Sequence, residues 1–146
     1  MTNHEIARIF DKTAFFLSLQ DESDAKIAVY ARAAKNINDY PAAIEDMLLA
    51  GEDLMKIEGV GKILAQQLED LVIIGSLHIL EDMLKKFPGS LYELAQIKGI
   101  GPKTILKIFS HHQIKSLAEL KLFLRSGESL AIAAPAMSKI QEFFER

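Results

Sequence analysis

Ile57-Glu58-Gly59-Val60-Gly61-Lys62-Ile63-Leu64-Ala65 decides the fold, because its pattern returns forty residues later as Ile97-Lys98-Gly99-Ile100-Gly101-Pro102-Lys103-Thr104-Ile105. Each copy reads apolar, any, Gly, apolar, Gly, and then opens an apolar-periodic run. The first Gly closes a short helix, since glycine takes the left-handed backbone at little steric cost. The second Gly opens the next helix, whose first amides have no intrahelical acceptor. Pro102 stands at the first helical position, where a missing N–H costs nothing. The spacing predicts two helix–hairpin–helix units. Open amides at a helix N-terminus suit an anion such as a backbone phosphate. A plain αα turn would use the same glycines, but matching flanks in two copies favour the phosphate-binding hairpin. A dinucleotide fingerprint needs a strand before its glycines, and Glu52-Asp53-Leu54-Met55-Lys56 is not one.

Outward from the hairpins, the chain reads as helix. Apolar residues Ile6, Ile9, Phe10, Ala14, Phe15 and Leu17 form one stripe over residues 3–19. Asp21-Glu22-Ser23-Asp24 offers caps for a second helix running to Ile37. A short third helix follows Pro41 and closes at Gly51. The second arm of hairpin one runs from Lys62 to Ile74, and a further helix from Ser76 to Phe87. Arms at residues 91–97 and 103–111 make hairpin two, followed by a helix from Ser116 to Leu124. In the tail, Ala134-Pro135-Ala136-Met137-Ser138 has the spacing of a degenerate third hairpin with both glycines replaced; the alternative is an ordinary helix from Ser138. The fold expected is all-α, in two small helical units divided near residues 77–88, drawn as 1–76 and 77–146.

The 146 residues hold 49% apolar side chains and no Cys, which excludes a disulfide frame, a thiolate nucleophile and a Cys-ligated zinc. No apolar run approaches a membrane span, and the N-terminus lacks the pattern of a signal peptide. A cytoplasmic, non-membrane protein is expected. The net charge of −3 argues against holding nucleic acid by bulk electrostatics, so any such contact is local and salt-sensitive. Charge separates the hairpins. Glu52, Asp53, Glu58, Glu69 and Asp70 outnumber Lys56 and Lys62 around the first. Lys98, Lys103, Lys107 and Lys115 surround the second. His4, His78, His111 and His112 have no zinc-ligand spacing. No nucleophile motif or Asp-x-Asp pair is present.

With these landmarks placed, the chain resembles the N-terminal part of the family X DNA polymerases, of the DNA polymerase beta and bacterial PolX kind. The resemblance rests on Ala28-Val29-Tyr30-Ala31-Arg32-Ala33-Ala34-Lys35-Asn36-Ile37, then Tyr40-Pro41, then Gly51-Glu52-Asp53-Leu54, then the hairpins. It implies a lyase-like domain followed by a fingers-like domain, without the polymerase palm. It implies a 5′-phosphate pocket containing Lys26 and Tyr30, although two further basic positions of that pocket are Met55 and Ile63 here. The family's Schiff-base lysine falls on Gln67, whose amide nitrogen is not nucleophilic. The resemblance also implies a monovalent cation, Na+ or K+, on backbone carbonyls of Met55, Ile57 and Val60 and of Ala95, Ile97 and Ile100. No cofactor is required.

The function expected is non-catalytic, non-sequence-specific DNA binding in repair, at gaps or ends. The DNA-contacting residues would be Gly59, Val60, Gly61 and Lys62 in hairpin one and Lys98, Gly99, Ile100, Gly101, Lys103, Thr104 and Lys107 in hairpin two. A repair protein acting in trans is a further expected partner. The alternatives are a protein–protein scaffold derived from such a domain, with Phe15-Phe16 or Val72-Ile73-Ile74 as its surface, or a fragment of a longer polymerase; a natural stand-alone protein is favoured. The Gln67 reading predicts that borohydride traps no adduct on a 5′-abasic DNA end. A trapped adduct would show that another amine, with Lys26 and Lys62 the nearest in sequence, has taken over.

Overall fold

A computed structural model describes residues 1–145. Its regular elements are helices, with no strand among the described residues, so the all-α expectation holds. The chain divides into two compact units, Met1–Lys85 and Lys86–Arg146.

In the first unit, α1 (Asn3–Leu19) begins at a reciprocal capping box. Glu5 N–H donates to Thr2 Oγ1 at 3.1 Å, and Glu5 Oε2 accepts the Thr2 N–H at 2.9 Å. Ile6, Phe10, Ala14 and Leu17 are buried along one stripe. The helix packs on α2 (Asp24–Asp39), which buries Tyr30, Ala33, Ala34 and Ile37. The Phe10 and Tyr30 rings lie 5.9 Å apart. The short α3 (Ile44–Leu49) is tied back to α1 by Asn3. That amide donates to Ala42 O at 2.8 Å and accepts the Ile44 N–H at 2.9 Å. After hairpin one, α4 (Lys62–Ile74) ends at Gly75 in left-handed backbone.

Next, α5 (His78–Leu84) packs on α1 and buries Leu80 and Met83. It therefore belongs to the first unit. The division falls at Lys85, within the expected stretch but not at the drawn boundary after Ser76. An apolar face on so short a helix needs a partner, and α1 supplies it. Sequence periodicity shows such a face without showing what it meets.

The second unit contains α6 (Pro102–His112), α7 (Leu117–Arg125) and α8 (Ala134–Phe144). Its core includes Leu91, Leu94, Ile97, Ile105, Ile108, Leu120 and Ile140. α6 ends at Gln113, a non-glycine residue at φ 55. His112 is structural: Nε2 accepts the Ala131 N–H at 3.0 Å, and its ring lies 4.8 Å from that of Phe123. The expected degenerate hairpin at Ala134–Ala136 is absent, because these residues are the first turn of α8. Alanine does not favour the left-handed turn a hairpin needs, and Pro135 pre-sets helical φ. The same facts start the helix four residues before Ser138.

The first arms of both hairpins are 3₁₀ rather than α-helical, at Leu54–Lys56 and Gly89–Gln96. Their apolar residues explain this. Leu54 and Ile57 are three apart, as are Leu91, Leu94 and Ile97, and all five are buried. A helix of three residues per turn puts such a series on one edge.

Candidate functional site

The two hairpins share one backbone design. In the first, Asp53 caps the 3₁₀ turn by accepting the Met55 N–H at 2.9 Å. Gly59 then turns the chain at φ +82, and Gly61 is the N-cap of α4 in extended backbone without a side-chain cap. The first bond of the helical ladder runs from Ala65 N–H to Gly61 O at 2.9 Å. The amides of Lys62, Ile63 and Leu64 thus lie outside the helical ladder. In the second hairpin Gly99 turns at φ +94 and Gly101 is the uncapped N-cap of α6. Ile105 N–H donates to Gly101 O at 3.1 Å, and Pro102 has no N–H, which leaves the amides of Lys103 and Thr104. Both helix starts present donors with the positive end of the dipole behind them.

The expected contact residues divide by exposure. Gly59, Gly61, Lys62, Lys98, Gly99, Gly101, Lys103 and Lys107 are exposed, and Thr104 and Ile100 are half-buried. Val60 is buried and its N–H is taken by Ile57 O at 3.1 Å. That bond uses one lone pair of the Ile57 carbonyl and leaves the other. Lys103 and Lys107 share a face of α6.

What lies over each loop differs in sign. In hairpin one, α2 supplies a clamp that the sequence did not reveal. Asn36 Nδ2 donates to Glu58 O at 2.7 Å, and Arg32 forms an ion pair with the Glu58 carboxylate at 3.0 Å. A Cβ added to Gly59 would come 3.1 Å from Asn36 Nδ2. Hairpin two has Lys98 at the position of Glu58. There the stem of Lys139, from α8, lies across Gly99, and an added Cβ would come 2.7 Å from Lys139 Cγ. Hairpin one carries an acid paired with a cation of α2, whereas hairpin two gathers two lysines. The units follow the same sense. Met1–Lys85 holds eight Lys and Arg against fifteen Asp and Glu, a net −7; Lys86–Arg146 holds nine against five, a net +4.

The positions of the expected 5′-phosphate pocket are otherwise engaged. Tyr30 is 5% exposed, and its hydroxyl donates to Gln67 Oε1 at 3.1 Å. Lys26 Nζ lies 3.5 Å from Glu22. Met55 and Ile63, which stand at the two basic positions the resemblance lacks here, are 51% and 75% exposed and leave apolar surface there. Of the alternative partner surfaces, Phe16 is buried, but Ile73 and Ile74 are exposed at the end of α4. No group of three or more His, Asp or Glu side chains among the described residues is arranged to hold a metal ion. No single helix among them is long and apolar enough to cross a membrane.

Fold and loops together define a tandem helix–hairpin–helix protein. The family model described as "Helix-hairpin-helix domain" matches residues 1–77, more than half of the chain, and the chain belongs to that family. A second, described as "SAM-like Helix-hairpin-helix tandem", matches residues 91–131. The chain is 25% identical over 122 residues to the DNA polymerase/3'-5' exonuclease PolX of Bacillus subtilis (strain 168). That similarity covers 82% of this chain and 21% of the relative, so the chain spans about a fifth of that protein's length.

The contact between Gly99 and Lys139 is testable against Gly127, which has φ +81 and nothing within 4 Å of an added Cβ. Gly127→Ala should cost about 1–2 kcal/mol from backbone strain alone. Gly99→Ala should cost about 1 kcal/mol more, because the lysine stem must move as well. Urea midpoints read the difference; equal losses would contradict the contact.

Proposed function

We propose that this protein binds DNA without sequence specificity, by gripping backbone phosphate at hairpin two, and that it works in repair at gaps or ends. The observation that carries the reading is the exchange of Glu58 for Lys98 on matching loops with open helix amides. Phosphate-backbone contacts position a protein without reading bases, and the family matches and the polymerase relative point to the same class of ligand. Lys98, Lys103 and Lys107 supply charge, the amides of Lys103 and Thr104 supply direction, and the turn at Gly99-Ile100-Gly101 lets the strand approach. Gly59, Val60, Gly61 and Lys62 form the weaker counterpart. A monovalent cation would sit on the carbonyls of Met55, Ile57 and Val60, or of Ala95, Ile97 and Ile100; such oxygens are hard donors.

The protein has no catalytic role in this account. Gln67 cannot form an imine, and its side chain is held by Tyr30. A 5′-phosphate reaching Tyr30 would have to displace that bond, so the pocket at Lys26 and Tyr30 is secondary. A second reading, a protein-docking role for the first unit, is favoured by one observation. Met55, Ile63, Ile73 and Ile74 are exposed on a unit of net −7.

Binding to a gapped duplex with a 5′-phosphate, measured over a range of salt, separates these readings. Lys103→Glu with Lys107→Glu should weaken binding and lower the salt slope by about 2, while Lys62→Glu changes it less. An unchanged affinity for the double variant would refute the hairpin-two reading. Absence of binding by the unaltered protein at low salt would favour docking.

A further inference from the structure

The second unit contains a cleft beside the loop of hairpin two that the hairpin pattern does not include. It measures about 220 Å³ and is lined by Lys98, Lys139, Glu142 and Phe143. Pockets that hold whole small molecules begin near roughly 300 Å³, so this one suits a single group. Two of its four lining residues are lysines. Lys98 comes from the loop itself, and Lys139 comes from α8, more than thirty residues further along the chain.

Lys139 is exposed, but its stem crosses the hairpin loop. Its stem lies against Gly99 so closely that a Cβ there would meet Cγ at 2.7 Å and Cδ at 2.8 Å. The contact places the root of the Lys139 stem against the loop. Its ammonium faces the Glu142 carboxylate, 3.8 Å away and one turn along α8. That separation is an ion pair, too long for a hydrogen bond, and an exposed pair of this kind contributes little. Phe143 is the apolar residue of the lining.

The geometry points to a second phosphate site. Lys98 and Lys139 together bind a backbone phosphodiester of the strand whose neighbouring phosphate sits at the α6 N-terminus, and Glu142 is the resident counter-charge that the phosphate displaces from Lys139. The inference rests on the DNA-binding reading above and extends it to α8. The carboxylate acts as a brake: while Glu142 faces Lys139, part of the attraction for phosphate is cancelled.

A double-mutant cycle on the full chain tests it, with a gapped duplex as ligand and far-UV circular dichroism to confirm folding. Lys139→Gln keeps the stem that covers Gly99 and removes only the charge. It should weaken binding about threefold or more and reduce the salt slope by about 1. Glu142→Gln should tighten binding about threefold, but only while Lys139 is present; the double variant should match Lys139→Gln. A gain from Glu142→Gln that is equal with and without Lys139 would overturn the inference, because it would be a change of net charge only. A silent Lys139→Gln, in a protein weakened by Lys103→Glu with Lys107→Glu, would overturn the cleft and leave the hairpin reading intact. No DNA binding by any form would overturn both.

Discussion

Each hairpin reverses the chain within residues 58–61 or 98–101, and the reversal depends on a left-handed backbone at Gly59 and Gly99. Everything near the site follows from that constraint. The missing Cβ lets the turn form, and it lets another helix lay a side chain directly across the loop. Asn36 and Arg32 of α2 do so in the first unit, and Lys139 of α8 does so in the second. The reversal also places the extended glycine that follows at the start of α4 or α6. The helix then begins with unpaired amides at the surface rather than with a capping side chain.

The same scaffold therefore carries opposite charge in its two copies. In hairpin one the loop residue before the glycine is Glu58, which meets Arg32 at 3.0 Å and has its carbonyl fixed by Asn36. That loop is closed on its own protein. In hairpin two the equivalent residue is Lys98, and the side chain lying over the loop is a second lysine. A cation placed at a helix N-terminus opposes the dipole unless an anion arrives. Lys98 and Lys103 flank that terminus in hairpin two, and Lys139 lies over the loop at Gly99. The chain's net charge of −3 conceals this, because the excess of acid lies in the other unit.

Local chemistry made much of this legible in sequence. α1 and α4 occupy the residues their apolar periodicity predicts, and Gly75 ends the second of them. The hairpin glycines were legible because the backbone needs them. Long-range contacts were not. The allegiance of α5 depends on α1, and the Tyr30–Gln67 hydrogen bond joins residues on two helices. Lys139 carries no mark in sequence that would pair it with Gly99. The 3₁₀ arms were hidden for a different reason. A three-residue apolar spacing fits one turn of either helix type, and only the buried series Leu91, Leu94 and Ile97 distinguishes them.

The central claim is that phosphate meets backbone amides at the start of α6. The most direct measurement is an amide-resolved ¹H–¹⁵N NMR titration of the whole chain with a gapped duplex bearing a 5′-phosphate. The account predicts that the amides of Lys103 and Thr104, with those of Gly99 and Gly101, shift first and furthest, while those of Lys62, Ile63 and Leu64 move less. Shifts centred on α4 and hairpin one, or none in hairpin two, would contradict it.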